Sequence, residues 1–233
     1  MLRLDLRTII DKLVTFYNFD IENCKVVKYS KELTCFEFLV LSILSQNTND
    51  ELAERAFWNL VNELGRPLTP ATVLSAGEEV IIRCIRVSGM YKRKCETIMN
   101  LASALIKVGE DFLSKAPVEE VRNFLMNIKG LGKKTVDVFL LFKRMVPTFP
   151  VDTHIRRICV RLGLSRRGDY DEISSIFLSC YDGDWRGLAE AHLVLIMHGR
   201  TLCKALKPIC NKCPLVSICC FYKERSSSSY KRL

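Results

Sequence analysis

The chain has 233 residues, enough to bury a full core as one large domain or two small ones, and two lobes is the working expectation. Its 35 Lys and Arg against 26 Asp and Glu leave a net charge of +9, which suits a polyanionic partner without requiring one. No apolar run reaches the length of a membrane span, and the opening MLRLDLRTIIDKL alternates charged and apolar residues where a secretory signal carries an unbroken apolar core; membrane and secreted classes are set aside, and a soluble intracellular protein is expected.

In chain order, apolar residues recur at three- and four-residue intervals over Asp50 to Leu64, Cys95 to Val108, Thr135 to Met145 and Leu188 to Gly199. Helix start signals agree with that reading. Thr69 precedes Pro70 at a first helical position, Pro117 precedes Glu119 and Glu120 in a first turn, and Asp184 is placed to cap the helix after it. No alternating strand pair and no internal repeat occurs, so the fold class is all-α. The last stretch, Ser226 to Leu233, is polar and basic with little to bury, and a disordered tail is expected there.

Eleven cysteines is a high number for an intracellular chain. Seven of them, Cys24, Cys35, Cys84, Cys95, Cys159, Cys180 and Cys220, are scattered, mostly through apolar helical text, and most of these read as small buried hydrophobes. The other four, Cys203, Cys210, Cys213 and Cys219, form a C-x6-C-x2-C-x5-C run in one short loop with little apolar content to hold it together. A metal centre is the leading reading. Four thiolates suit tetrahedral zinc or an iron–sulfur cluster; zinc sites more often come as two separated C-x2-C pairs, which are absent. Cys220 competes for the fourth position, and a disulfide is disfavoured by the expected intracellular setting.

The segment IKGLGKKTVDVFLLF ends one helix, turns at KGLG, where Gly130 and Gly132 are both expected to adopt backbone angles closed to other residues, and starts the next helix. Such a turn presents backbone N–H groups in the positive field of a helix N-terminus, a seat for phosphate, although it also serves as a plain helix corner. Lys134 lies in the first turn of that helix. The helix dipole and a desolvation cost from apolar neighbours are both expected to push its pKa down from about 10.4, toward a neutral nucleophilic amine. The alternative is an exposed phosphate-binding lysine, which Lys133 fits better. Asp152, in VDTHIRR, reads by itself as a helix N-cap.

Taken together, IKGLGKKT, VDTH and LIMHGRTLCKALKPICNKCPLVSIC resemble the endonuclease III family of helix–hairpin–helix DNA glycosylases with a four-iron–four-sulfur cluster loop, in its archaeal and bacterial branch. The resemblance extends from CFEFLVLSILSQNTND, Cys35 to Asp50, through to Cys219. It implies Lys134 as nucleophile, Asp152 as the essential carboxylate, and Cys203, Cys210, Cys213 and Cys219 as ligands of a 4Fe-4S cluster, with Cys220 as a spare. The family's gap-filling glutamine falls opposite Asn47 in an ungapped match, with Gln46 one place before it. Lys129 stands where proline is usual and Asp137 where asparagine is common.

The implied partner is double-stranded DNA with damaged bases or abasic sites. Its backbone would be held by Gly130, Gly132, Lys133 and the loop cations Lys204 and Lys207, and its vacated stack filled by Gln46 or Asn47. The implied architecture is a helical barrel over residues 27–146 that ends in the hairpin, a cluster lobe from 1–26 and 147–225, and DNA in a cleft between them. The implied activity is a bifunctional glycosylase and AP lyase for oxidised pyrimidines, acting as a cytoplasmic, nucleoid-associated monomer with no membrane partner. Other classes are a glycosylase for mismatched thymine or adenine, whose members generally lack the hairpin lysine, a non-catalytic helix–hairpin–helix clamp, and a redox carrier.

Overall fold

The computed structural model describes residues 5–229, and every regular element among them is helical. In chain order the helices are α1 (Leu6–Tyr17), α2 (Lys25–Glu32), α3 (Cys35–Leu44), α4 (Asp50–Leu64), α5 (Pro70–Ile85), α6 (Tyr91–Val108), α7 (Phe112–Lys115), α8 (Val118–Met126), α9 (Lys133–Phe142), α10 (Thr153–Leu162), α11 (Tyr170–Tyr181), α12 (Trp185–Thr201) and α13 (Cys220–Ser229). They form two compact units: the hairpin unit, Lys25–Val146, and the cysteine unit, assembled from Met1–Cys24 and Pro147–Leu233.

The start signals act as their chemistry dictates. The Thr69 hydroxyl accepts from Thr72 N at 3.1 Å with Pro70 as the first helical residue of α5, and Asp184 accepts from Gly187 N at 2.9 Å to open α12. Pro117 opens α8 with Glu119 and Glu120 in the first turn, favourable charges at a helix N-terminus. Two expectations need correction. Helix α9 stops at Phe142 instead of Met145, because the next cations turn away: the Lys143 ammonium donates to the carbonyls of Ser30 and Leu33, the Arg144 guanidinium to those of Leu113 and Ala116, and Met145 takes a left-handed φ of 54°. The Ser226–Ser229 part of the expected tail is the end of α13, since a helix already nucleated over Cys220 to Arg225 extends through serines at small cost. Residues 230–233 of that expectation lie outside the described residues.

In the hairpin unit α3 is buried on nearly every face, with Phe36, Phe38, Leu39, Val40, Ile43 and Leu44 in the core. Burying each such side chain stabilises the fold by about 1.5–3 kcal/mol, so this short helix anchors the unit. Glu37 is buried with them, and its oxygens are satisfied: one accepts from Thr34 N at 2.8 Å, closing a capping box, and the other from Leu68 N at 3.1 Å. Helix α9 packs against α3 and α8, which fixes the hairpin between two core helices. In the cysteine unit, Leu6, Ile9, Ile10 and Leu13 form the buried stripe of α1, which packs on α12, and Phe149 stacks on Phe177 with ring centroids 3.7 Å apart.

Candidate nucleic-acid interface and metal centre

The hairpin runs from the end of α8 to the start of α9. Gly130 has a φ of +97°, and a side-chain carbon there would fall 2.0 Å from Thr97 Oγ1, so both angle and space demand glycine. Gly132 does not share the first requirement. As N-cap of α9 its φ is −113° and its ψ 168°, extended backbone open to any residue, and a Cβ would meet nothing within 4 Å. Its value is the open approach it leaves: no side chain caps α9, whose first residues are Lys133 and Lys134.

Both lysines are exposed. The apolar cover expected around Lys134 is therefore absent, because the buried face of α9 begins one residue later at Thr135. The two departures from the family pattern find partners. Lys129 pairs with Glu96 at 2.7 Å on the surface, and Asp137, inside the unit, accepts from Arg122 of α8 at 2.6 Å. The second pair joins the two hairpin helices.

Gln46 and Asn47 follow α3 and behave differently. The Gln46 amide donates to Gly130 O at 3.3 Å and to Thr135 Oγ1 at 3.2 Å, which ties it to the hairpin. Asn47 is exposed with a left-handed φ of 52°, and its Nδ2 lies 3.8 Å from Met90 Sδ. Met90, also left-handed at 47°, is an exposed apolar side chain just before α6. Sequence reasoning missed it, and the one available signal was its place after Gly89, between two helical segments.

In the cysteine unit, Asp152 is the N-cap of α10, with its Oδ1 accepting from Ile155 N at 2.8 Å. Cys203, Cys210, Cys213 and Cys219 all line one small cavity, together with Arg161, Leu202, Pro208, Ile209, Val216, Phe221 and Tyr222; Cys220 is not part of that lining and instead donates to Leu162 O at 3.4 Å. Among the described residues no group of three or more His, Cys, Asp or Glu side chains is arranged for a single metal ion. Burial first, then the neighbouring sulfurs, pushes the Cys213 thiol up to about 11, and burial likewise raises Cys219. Four thiol groups converging on one cavity are a donor set chemically suited to a metal centre.

Two arginines of α10 that the sequence reading passed over hold this loop. Arg157 donates to Cys203 O and Gly199 O, both at 2.9 Å, and Arg161 donates to Lys204 O and Ala205 O, both at 2.8 Å, with its Nη1 3.3 Å from Cys203 Sγ. Their four-residue spacing places them on one helix face, which was legible, but their target was not. Lys204 and Lys207 are exposed on the loop so held, with Leu206 between them. His198 bridges α1 to the loop: Tyr17 Oη is 2.9 Å from its Nδ1, and its Nε2 is 3.7 Å from Cys213 Sγ. Burial, then the Arg157 charge, lowers its pKa to about 4, so the ring is neutral.

Residues 40–180 match the model of the HhH-GPD superfamily of base excision DNA repair proteins. Endonuclease III of Sulfolobus acidocaldarius is 38% identical over 193 residues, covering 82% of this chain and 84% of that protein. Endonuclease III of Rickettsia prowazekii is 32% identical over 202 residues, covering 86% and 88%. A solved trapped covalent intermediate of endonuclease III with DNA, carrying an estranged adenine, superposes with a TM-score of 0.79 at 28% identity over 97% of this chain and 99% of that one. The chain belongs to the HhH-GPD superfamily of base excision DNA repair proteins, in its endonuclease III family.

Proposed function

We propose that this protein is a bifunctional DNA glycosylase and AP lyase that removes oxidised pyrimidines from duplex DNA through a Schiff base on Lys134. The observation that carries the reading is Lys134 itself, exposed in the first turn of a helix whose N-terminus no side chain caps, four residues after the one glycine of the turn that the fold cannot replace. Phosphate seated on the Gly130–Gly132 turn places the sugar chain beside that amine.

Extruding a damaged base costs a few kcal/mol, less where the lesion pairs poorly. Asn47, exposed and left-handed, fills the vacated stack, while Gln46 stays bound to the hairpin as a brace. The neutral Lys134 amine attacks C1′ and the base leaves with the electrons of the glycosidic bond. The Asp152 carboxylate, with one oxygen committed to its cap, stabilises positive charge on the sugar or accepts the ammonium proton. The aminal nitrogen then expels the ring oxygen O4′, which takes up a proton, and the open-chain imine so formed acidifies C2′; loss of that proton expels the 3′ phosphate, and water then releases the enzyme.

Cys203, Cys210, Cys213 and Cys219 would hold a 4Fe-4S cluster, which when bound makes the loop a rigid platform. Arg157 and Arg161 orient that loop, and Lys204 and Lys207 carry its charge toward DNA phosphates.

The test is borohydride trapping and base release on a panel of duplexes with single lesions opposite each base. Lys134→Ala should abolish both signals with lesion-DNA affinity nearly intact. Lys133→Ala should weaken binding and leave trapping at saturating protein unchanged. Asp152→Asn, which keeps the cap, should slow base release by orders of magnitude. Full trapping by Lys134→Ala refutes the mechanism, and selective action on mismatched thymine or adenine refutes the substrate class.

A further inference from the structure

Lys94, on α6, is 2% exposed, and among the described residues its ammonium meets no carboxylate. It donates instead to two main-chain carbonyls, Leu44 O and Ser88 O, each at 2.8 Å. Burial lowers its pKa to about 8. A neutral side chain of the same length would avoid that opposition, so the two bonds are what the charge offers the fold.

The two carbonyls share a position. Leu44 is the last residue of α3, and Ser88 the last of the short 3-10 helix Arg86–Ser88, so one cation sits at the negative ends of two helical segments. Three residues beyond Leu44 is Asn47; two beyond Ser88 is Met90. Both hold left-handed backbone angles, 52° and 47°, which for a methionine is an uncommon and strained conformation kept only where its surroundings over-determine it. Both are exposed, and they lie against each other at 3.8 Å. An exposed apolar side chain in a strained turn beside an exposed amide does nothing for the core.

We infer that Lys94 is a positioning residue for base extrusion, its buried ammonium clamping the α3 and 3-10 carbonyls and so holding in place the two loops that carry Asn47 and Met90. This rests on the proposed action on duplex DNA. The amide fills the polar gap of a displaced base and the thioether wedges against the exposed base faces beside it. The Lys94 ammonium bonds to both segments that lead into these loops.

The experiment compares, at saturating enzyme, single-turnover base release from a duplex with one oxidised pyrimidine and cleavage of a duplex with a preformed abasic site, where no base remains to be extruded. Fluorescence of 2-aminopurine opposite the lesion reports opening of the stack. Lys94→Met should slow base release at least tenfold and cut the fluorescence rise, with affinity for the lesion duplex in a gel-shift titration and abasic-site cleavage within threefold of the parent. Lys94→Arg, which keeps the donors, should restore much of the loss. Asn47→Ala with Met90→Ala should give the same split, and adding Lys94→Met should lower base release by less than twofold more. If Lys94→Met melts below the assay temperature, Lys94→Gln, with two N–H donors and no charge, should show a smaller loss in the same ratio. Losses of base release and abasic-site cleavage in equal proportion, or multiplication of the losses in the triple variant, overturn the inference. A parent protein without base release on any oxidised pyrimidine refutes instead the function on which it rests.

Discussion

Gly130→Ala tests whether the hairpin is built as described. Two penalties act at that position. A φ of +97° is unfavourable for any residue with a Cβ, by about 1–2 kcal/mol. The new carbon would also lie 2.0 Å from Thr97 Oγ1 and 2.9 Å from both Thr97 Cβ and Cγ2. Thr97 cannot rotate away cheaply, because it is β-branched, 2% exposed, and donates from Oγ1 to Arg93 O at 2.9 Å. Overpacking of this kind costs about 1–3 kcal/mol, for a total of about 2–5 kcal/mol. In a domain of this size, at about 4 °C per kcal/mol, the melting temperature should fall by roughly 8–20 °C. Urea denaturation followed by helical circular dichroism gives the free energy. Thr97→Ala in the Gly130→Ala background removes the hydroxyl and one methyl, and should recover the packing part while leaving the backbone part. A loss below about 0.5 kcal/mol for Gly130→Ala, or simple addition of the two single effects, would refute the steric account.

Gly132→Ala should leave stability nearly unchanged and weaken DNA binding in a gel-shift titration, because its Cβ meets open space that phosphate needs. Arg122→Met leaves the buried Asp137 carboxylate without that cation and should cost about 3 kcal/mol in denaturant unfolding, most of it recovered by adding Asp137→Leu. Cys203→Ser, Cys210→Ser, Cys213→Ser and Cys219→Ser should each lose iron, measured by elemental analysis, and destabilise the cysteine unit; Cys220→Ser should do neither, since its thiol lies outside the cavity lining. DNA affinity should fall with rising salt, and Lys133→Ala should reduce the slope of log K against log salt by about 1.

What the sequence made legible was local. Periodicity gave α4 to the residue, and Thr69, Pro117 and Asp184 marked helix starts because a cap reads only its next three neighbours. The four cysteines were legible because spacing in one loop constrains spacing in space. Lys94, Arg157, Arg161 and Met90 were not. Lys94 reaches back 50 residues to Leu44, and Arg157 reaches 46 residues to Cys203, so their roles depend on which helices pack together. The periodic pattern marks Lys94 as one more surface cation, whereas the fold buries it. The exposure of Lys134 was misread for a related reason: the apolar run of α9 begins one residue later, and one residue turns a side chain by about 100° around a helix.

The cysteine unit is closed by the first helix of the chain meeting one made near its end, with Tyr17 and His198 separated by 181 positions. At roughly 5–20 residues per second of synthesis, α1 waits on the order of 10–40 seconds with Leu6, Ile9, Ile10 and Leu13 uncovered, while the whole hairpin unit emerges and folds. During that interval the nascent chain carries a finished hairpin unit and an uncovered amphipathic helix. Newly made protein should therefore expose α1 to holding chaperones and proteases until α12 arrives, and shortening the hairpin unit's emergence time would reduce aggregation more than stabilising that unit would.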